Sequence, residues 1–252
     1  MPPPSGETDS GLASAIKSRT AHVVHLTHND FDAVGADAVH RMKYCTEGVF
    51  SIWSSVGKFS QLFAIVASCE GKGDLLSISD LGYHRESESL AARAKKNGWI
   101  VEWRDHHRWR DEEVKMVEKA VDLLHIDTSV CGTGIVARDI APENPVAAEV
   151  ARVVCDYDLW KHVDPRSAVL GQVLQSAIEY STSSGVGLPV DRLFPLYEAS
   201  FNSLHFKASF LVLPIGFGPH LVGLFFSIDK KLAPFGFSRP LGFCNYLLRT
   251  LF

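Results

Sequence analysis

Short apolar runs alternate with amphipathic segments through the first half of the chain. The runs have the length of buried strands, and the segments between them carry apolar residues at helical spacing. The pattern predicts strands over residues 21–28, 49–53, 74–79 and 99–103. It predicts helices over residues 33–45, 58–68 and 86–97. This alternation predicts an α/β fold with a mainly parallel sheet covered by helices on both faces.

The second half of the chain begins with two predicted helices, over 131–140 and 147–160, and then changes in character. A segment rich in serine and glycine follows, and few charged residues come after it. The expected regions are a disordered N-terminus at 1–19, a main domain at 20–180, a linker at 181–190, and a small, atypical or truncated C-terminal α/β domain at 191–252.

An uncharged apolar stretch at 208–228 is long enough to cross a bilayer. It contains Pro214, Pro219 and three glycines, which interrupt a helix. The stretch therefore predicts two buried strands joined by a turn, and we expect no membrane partner.

The composition of the 252-residue chain is that of an ordinary globular protein. Its 25 basic and 29 acidic residues give a net charge of -4, which excludes a strongly basic surface for nucleic acid. The five cysteines are scattered and form no C-x-x-C pair. They predict reduced, mostly buried thiols and a cytoplasmic protein.

Carboxylate and imidazole side chains follow three of the four predicted strands. In a parallel sheet the carboxyl ends of the strands meet at one edge, where ligands bind. Hard divalent ions prefer carboxylates, and Mn²⁺ also accepts imidazole. These residues are His28, Asp30 and Asp32 after the first strand, Asp80 after the third, and Asp105, His106 and His107 after the fourth.

Each of these clusters also has a structural interpretation. Asp32 and Asp80 could cap the helices that follow them. In the Asp105-His106-His107 triplet, one histidine can bind a metal while Asp105 fixes the tautomer of a ring. A fourth acidic segment, with Asp156 and Asp158, is in isolation only a polar loop.

Together, the segments THNDFDAVGADA, SISDLG, RDHHRW and CDYDLW resemble, in this order, the four motifs of the DHH phosphoesterases. The resemblance covers roughly residues 20–165, which would be the catalytic domain. The first and last segments are similar to the subgroup with nanoRNase and cyclic-nucleotide phosphodiesterase activity.

The resemblance implies two divalent metal ions, with Mn²⁺ preferred and Mg²⁺ or Co²⁺ as alternatives. Asp158 is chosen over Asp156 because Asp-Leu-Trp matches the family's last motif. The implied roles are His28 and Asp30 on the first ion; Asp32, His106 and Asp158 on the second; Asp80 on both; His107 on the phosphate; and Asp105 orienting a histidine.

The expected function is two-metal hydrolysis of phosphodiester bonds in short oligonucleotides or cyclic (di)nucleotides by a metal-activated water. The alternatives are a pyrophosphatase, a small phosphomonoester phosphatase, or a non-catalytic protein that binds metal or nucleotide. We expect no stable binding of duplex nucleic acid. A homodimer is one possible assembly, and the sequence does not determine the oligomeric state.

Two departures from the family bear on substrate capture. Many relatives have glycine where this chain has Ala33, and no segment matches the Gly-Gly-Gly-His loop of the family's second domain. Nearby aromatic and basic side chains could contact a nucleotide, although core or surface roles explain them equally well. These side chains are Trp53, Trp103, Trp109, Arg104, Arg108 and Arg110.

Overall fold

The structure, a computed structural model, describes residues 5–172. This part of the chain is an α/β domain in which strands and helices alternate. The strands are β1 Val23–Thr27, β2 Val49–Trp53, β3 Leu75–Ser79, β4 Ile100–Asp105 and β5 Leu123–Ile126. The helices are α1 Ser5–Ser18, α2 Phe31–Tyr44, α3 Phe59–Ser68, α4 Ser87–Lys96, α5 Asp111–Glu118, α6 Gly132–Ile140 and α7 Pro145–Asp158, with a 3₁₀ turn at Val56–Lys58.

The five strands form one parallel sheet in the order β2-β1-β3-β4-β5. β1 pairs with β3, and β3 pairs with β4, so three neighbouring strands end along the same edge. The register places Thr27 beside Ser79, and Ser79 beside Arg104. The residues that follow these strands are therefore brought together, as the predicted parallel sheet required.

Helices cover both faces of the sheet, which confirms the predicted α/β fold. On one face, α1, α3, α4 and α5 pack over Val24, Leu26, Leu76, Ile78 and Trp103. On the other face, α2, α6 and α7 pack against one another around a second apolar cluster. Within the described part of the chain, each predicted strand and helix is present with ends shifted by a few residues.

The predicted disorder of residues 1–19 is wrong for residues 5–18, which form α1. Ile16 is fully buried, and Leu12 and Ala13 pack beside it, so one apolar side of this short helix covers the core. Arg19 then anchors the chain, because its Nη2 donates to Asp74 Oδ2 at 2.7 Å and its guanidinium stacks on Trp99. The acidic start of the chain concealed this apolar spacing.

The prediction that all cysteines are reduced is also wrong. Cys131 and Cys155 form a disulfide between the start of α6 and the last turns of α7. The two residues lie 24 positions apart in sequence, and only the packing of α6 against α7 brings them together. Cys45 and Cys69 are free thiols, exposed and buried respectively.

Several expectations fall outside residues 5–172. These are the linker at 181–190, the C-terminal domain at 191–252, the apolar stretch at 208–228 and the fifth cysteine, Cys244. Across the described residues, no helix combines the length and apolar character needed to cross a membrane.

Replacing both disulfide cysteines, Cys131→Ser with Cys155→Ser, is expected to lower the free energy of unfolding by about 3 kcal/mol. A crosslink over a loop of this length restricts the unfolded chain, and its loss restores that entropy. Urea unfolding under non-reducing conditions measures the change. Cys45→Ser is the control, because the exposed Cys45 forms no crosslink. Equal stability of the double variant and the control would contradict the prediction.

Candidate metal centre

The carboxyl edge of the sheet gathers all six predicted metal ligands. His28 and Asp30 lie in the loop after β1, Asp32 lies in the first turn of α2, and Asp80 directly follows β3. His106 follows β4, and Asp158 is the last residue of α7. Potential ligand atoms from these residues form two groups, described below, and Asp80, His106 and His107 form a third that overlaps both; within each group all atoms lie within 4.8 Å of one another.

The first group contains His28, Asp30 and Asp80. His28 Nδ1 lies 2.7 Å from Asp30 Oδ2 and 3.8 Å from Asp80 Oδ2. The other oxygen of Asp30 accepts a hydrogen bond from the amide of Ala33 and caps α2. The helix cap is therefore Asp30 and not Asp32, the residue that the sequence offered for that role.

The second group contains Asp32, His106 and Asp158. His106 Nε2 lies 3.6 Å from Asp32 Oδ2, and His106 Nδ1 lies 3.7 Å from Asp158 Oδ2. His106 Nε2 is also 3.1 Å from Asp80 Oδ1. Asp80 therefore lies between the two groups, with one oxygen near His28 and the other near His106.

The donor set fits a divalent cation. Asp80 is 2% exposed, and its Oδ2 is a buried oxygen with no hydrogen-bond partner among residues 5–172. Asp158 Oδ2 is likewise a buried oxygen to which no described residue donates a hydrogen bond. Burying an unpartnered carboxylate oxygen is unfavourable unless a cation compensates its charge. These buried Asp and His groups could therefore hold a metal ion through hard oxygen and imidazole donors.

The start of α6 holds Asp32 in place from the far side. The amides of Gly132 and Thr133 donate to the two carboxylate oxygens of Asp32, at 2.6 and 2.7 Å. A Cβ on Gly132 would lie 3.0 Å from Asp32 Oδ2 and 3.1 Å from Asp80 Cβ, so glycine permits this close approach. The sequence pattern did not predict this contact, which joins residues one hundred positions apart. Its only sequence signal was the glycine-rich start of a predicted helix.

Crowding of carboxylates shifts their protonation. Burial, followed by the charges of Asp158 and Asp30, raises the pKa of Asp32 to about 7. Burial and the neighbouring charges of Asp32 and Asp30 raise the pKa of Asp80 well above its ordinary value. Burial also raises the pKa of Asp158, although His106 opposes the shift. Burial alone would raise the pKa of Asp30, but the hydrogen bond and the charge of His28 outweigh burial, so the pKa of Asp30 is lowered.

Asp105 orients His107 at the rim of the centre. Asp105 is fully buried; its Oδ1 lies 2.8 Å from His107 Nδ1, and its Oδ2 accepts from Trp109 Nε1 at 2.7 Å. The hydrogen bond to Asp105 raises the pKa of His107, and burial only partly opposes it. The side chain of His107 is half exposed and lines an open cleft of about 360 Å³ above the carboxylates. Its Nε2 is therefore the ring nitrogen left for a ligand.

The two acidic residues of the CDYDLW segment have different roles. Asp156 is turned toward the following loop, where its carboxylate accepts from the amides of Val163 and Asp164 and from Ser167 Oγ. Asp158 faces His106 and the cleft. The geometry thus places Asp158, and not Asp156, in the centre.

The aromatic and basic side chains near the triplet are mostly structural. Trp103 and Trp109 are buried in the core, and Trp53 packs against the second apolar cluster. Arg104 is buried and paired with Glu102 and Asp139, and Arg110 is paired with Glu113. Of the three arginines, Arg108 is exposed, lines the cleft and forms no ion pair with an acidic side chain of the described residues.

The sequence matches no protein-family model and no curated protein. Among solved structures, the fold is similar to that of an uncharacterized protein from Helicobacter pylori G27, with 19% sequence identity and a TM-score of 0.47. The alignment covers 63% of this chain and 50% of that chain, so this chain spans about half the length of that protein. The similarity concerns the fold alone.

Without divalent cations, the stability of the protein is expected to fall as the pH rises from about 4 to about 7. The pKa of Asp32 is about 7 in the folded state and near 3.8 in a model peptide, so the folded state binds more protons in this window. Stability gained from protonation is lost as the pH rises through the folded pKa. Thermal unfolding in a chelator across this range measures the effect. A melting temperature that rises steadily from pH 4 to pH 7 would contradict it.

Asp80→Asn is expected to raise the stability of the metal-free protein at about pH 8, because it removes a buried charge while keeping the shape. The same change is expected to abolish the stabilisation that Mn²⁺ confers on the wild type, because that stabilisation depends on ligands held in the folded state. Melting temperatures in chelator and in Mn²⁺ measure both effects. The control is Asp122→Asn, at the opposite end of the sheet beside Lys95. A response to Mn²⁺ equal to that of the wild type would exclude Asp80 as a ligand.

Proposed function

We propose that the protein is a metal-dependent phosphoesterase that hydrolyses phosphodiester bonds in short oligonucleotides or cyclic (di)nucleotides. The observation that carries this proposal is the pair of ligand groups, one containing Asp80 and the other joined to Asp80 through its 3.1 Å contact with His106, below the half-exposed His107. The resemblance of the four motifs to those of the DHH phosphoesterases supports the same chemistry. Cytoplasmic location is a separate proposal that the Cys131–Cys155 disulfide opposes, because disulfides are rare in cytosolic proteins.

The ligand sets support two divalent ions. His28 and Asp30 would hold one, Asp32, His106 and Asp158 the other, and Asp80 lies within reach of both sets. Each set contains one imidazole, which favours Mn²⁺ over Mg²⁺, with Co²⁺ as an alternative. Bound ions would supply Lewis-acid stabilisation of the phosphoryl oxygens and would lower the pKa of a water molecule.

The chain's own residues complete the chemistry. Because Asp105 binds Nδ1 of His107 and raises the pKa of the ring, His107 can donate a hydrogen bond from Nε2 to an anionic phosphoryl oxygen. Arg108 adds a positive charge at the same cleft. The amides of Gly132 and Thr133 keep Asp32 oriented during the reaction.

The cleft favours a small nucleotide over a duplex or pyrophosphate. Its volume of about 360 Å³ suits a ligand of small-molecule size. Its wall includes the exposed Val56 and the partly buried Leu159. These apolar side chains can contact a sugar or base, whereas pyrophosphate has no apolar group for them to contact. Hydrolysis of pyrophosphate or of a phosphomonoester remains the alternative activity.

With Mn²⁺ present, the wild type is expected to cleave a dinucleotide, a five-nucleotide RNA or a cyclic dinucleotide faster than pyrophosphate. Asp80→Asn is expected to abolish turnover. His107→Asn is expected to lower kcat by about 100-fold or more while Mn²⁺ still stabilises the protein, because His107 acts on the substrate rather than on the metal. Product release by chromatography, together with melting temperatures, measures both properties.

Asp122→Asn is the matched control for this experiment and is expected to retain turnover. Faster hydrolysis of pyrophosphate than of any nucleotide would support the alternative activity. Stabilisation by Mn²⁺ without turnover of any substrate would reject the phosphoesterase and leave a metal- or nucleotide-binding protein. Turnover that persists in chelator would reject metal dependence itself.

A further inference from the structure

A network of hydrogen-bonded, buried polar side chains ends at Ser79, the residue before Asp80. Arg41 Nε donates to Asp37 Oδ2 at 2.8 Å, and Asp37 Oδ1 lies 2.8 Å from His25 Nδ1. His25 Nε2 lies 2.8 Å from Ser79 Oγ. Asp37, His25 and Ser79 are fully buried, and Ser79 is the residue immediately before Asp80. This hydrogen-bond network therefore runs from α2 through β1 to the end of β3.

Thr27 adds a second connection at the same point. Its hydroxyl donates to the carbonyl of Ser79 at 3.0 Å and lies 3.0 Å from Ser79 Oγ. The end of β3 is thus fastened to β1 through side chains as well as through the backbone ladder. Both the main chain and the side chain of Ser79 are fixed, and so is the position from which the next residue departs.

The backbone of Asp80 needs such support. Its φ of 55° lies in the left-handed region, which is unfavourable for a residue other than glycine unless the surroundings enforce it. The amide of Asp80 donates to the carbonyl of Arg104 at 3.1 Å. This conformation directs the carboxylate between His28 and His106.

Packing alone does not explain why the side chains of this hydrogen-bond network are polar. On the other face of the same strands, Leu26, Leu76 and Ile78 fill the space with apolar groups. Replacing buried polar pairs by apolar residues is often neutral or stabilising, so a buried Asp-His-Ser chain points to a task other than stability. The order resembles a hydrolytic triad, but the fully buried Ser79 hydroxyl has no access to a substrate.

We propose that His25, Asp37 and Ser79 are positioning residues that hold the strained end of β3, so that the Asp80 carboxylate faces both groups of ligands. This rests on the proposed function, because Asp80 is the carboxylate that the two metal sites would share. Partners of this kind, one step behind the ligands, set metal affinity through orientation.

A matched pair of variants tests the proposal. Ser79→Ala removes the hydroxyl that binds His25, and Ser77→Ala removes the hydroxyl that lies 2.8 Å from His40 Nε2. Ser77 and Ser79 are both fully buried on one face of β3, and His25 and His40 stack at 4.0 Å. Each variant breaks one buried His–Ser hydrogen bond, and Ser79→Ala also removes the contact with the Thr27 hydroxyl, so both are expected to lose thermal stability in chelator, Ser79→Ala the more.

Mn²⁺ affinity, measured by calorimetric titration of the full-length protein, is expected to separate the two variants. Ser79→Ala should bind Mn²⁺ about tenfold or more weakly than the wild type. Ser77→Ala should retain the wild-type affinity, because it is not adjacent to Asp80. Thr27→Val keeps the shape of the side chain, breaks both bonds to Ser79 and is expected to weaken affinity in the same direction.

Wild-type affinity in both Ser79→Ala and Thr27→Val would overturn the proposal, and so would an equal loss in Ser77→Ala. If Ser79→Ala does not fold, Thr27→Val against Ser77→Ala decides the question. A wild type that binds no Mn²⁺ would overturn the metal centre and the positioning role together. A wild type that binds Mn²⁺ without hydrolysing any substrate would reject only the enzyme activity, since the affinities still decide the role of Ser79.

Discussion

Negative charge concentrated at the carboxyl edge of β1, β3 and β4 is the constraint around which the rest of the structure is arranged. Asp32 and Asp80 are buried within a few ångströms of Asp30 and Asp158, where carboxylates repel one another and lose their hydration. The fold offsets part of this cost with local partners. His28 and His106 lie between the carboxylates, and the amides of α6 neutralise part of the charge on Asp32. Within the described part of the chain, two buried carboxylate oxygens have no hydrogen-bond partner, and a bound cation would satisfy both.

The architecture of this edge was predictable because it follows from periodicity and local sequence. Strand–helix alternation fixed a parallel sheet, and a parallel sheet places the residues after β1, β3 and β4 side by side. The choice of Asp158 depended on the motif, because Asp158 ends a helix and the rule that places ligands after parallel strands does not apply to it. The role of Asp156 in the following loop emerged only from the hydrogen bonds in the structure. The Gly132 amide contact and the Cys131–Cys155 bond depend on how α6 meets α2 and α7, which no local pattern encodes. Helix α1 was missed because its few apolar residues lie in a polar setting.

The two faces of β1 and β3 divide the work of the sheet. One face carries Leu26, Leu76 and Ile78 and contributes the apolar burial that stabilises the domain. The opposite face carries His25 and Ser79, whose hydrogen bonds are directional and fix the geometry of a strand end. Alternation along a strand makes this division automatic, because adjacent residues point to opposite faces. Rigidity at the ligand-bearing edge can therefore be set without altering the apolar core.

The carboxylate cluster that could hold cations lowers the stability of the metal-free fold, and a bound cation would offset this repulsion. A cluster of carboxylates close enough to share ions is destabilised when the ions are absent, and more so as the pH rises and protons leave. Binding of ions to the folded state then adds directly to the free energy of unfolding, because the unfolded chain does not hold these ligands together. The strained backbone of Asp80 and its buried support imply that the ligands are placed before the ion arrives. Preorganisation of this kind would lower the cost of binding a cation and, under the proposed function, would keep the ligands in position when a charged substrate enters the cleft.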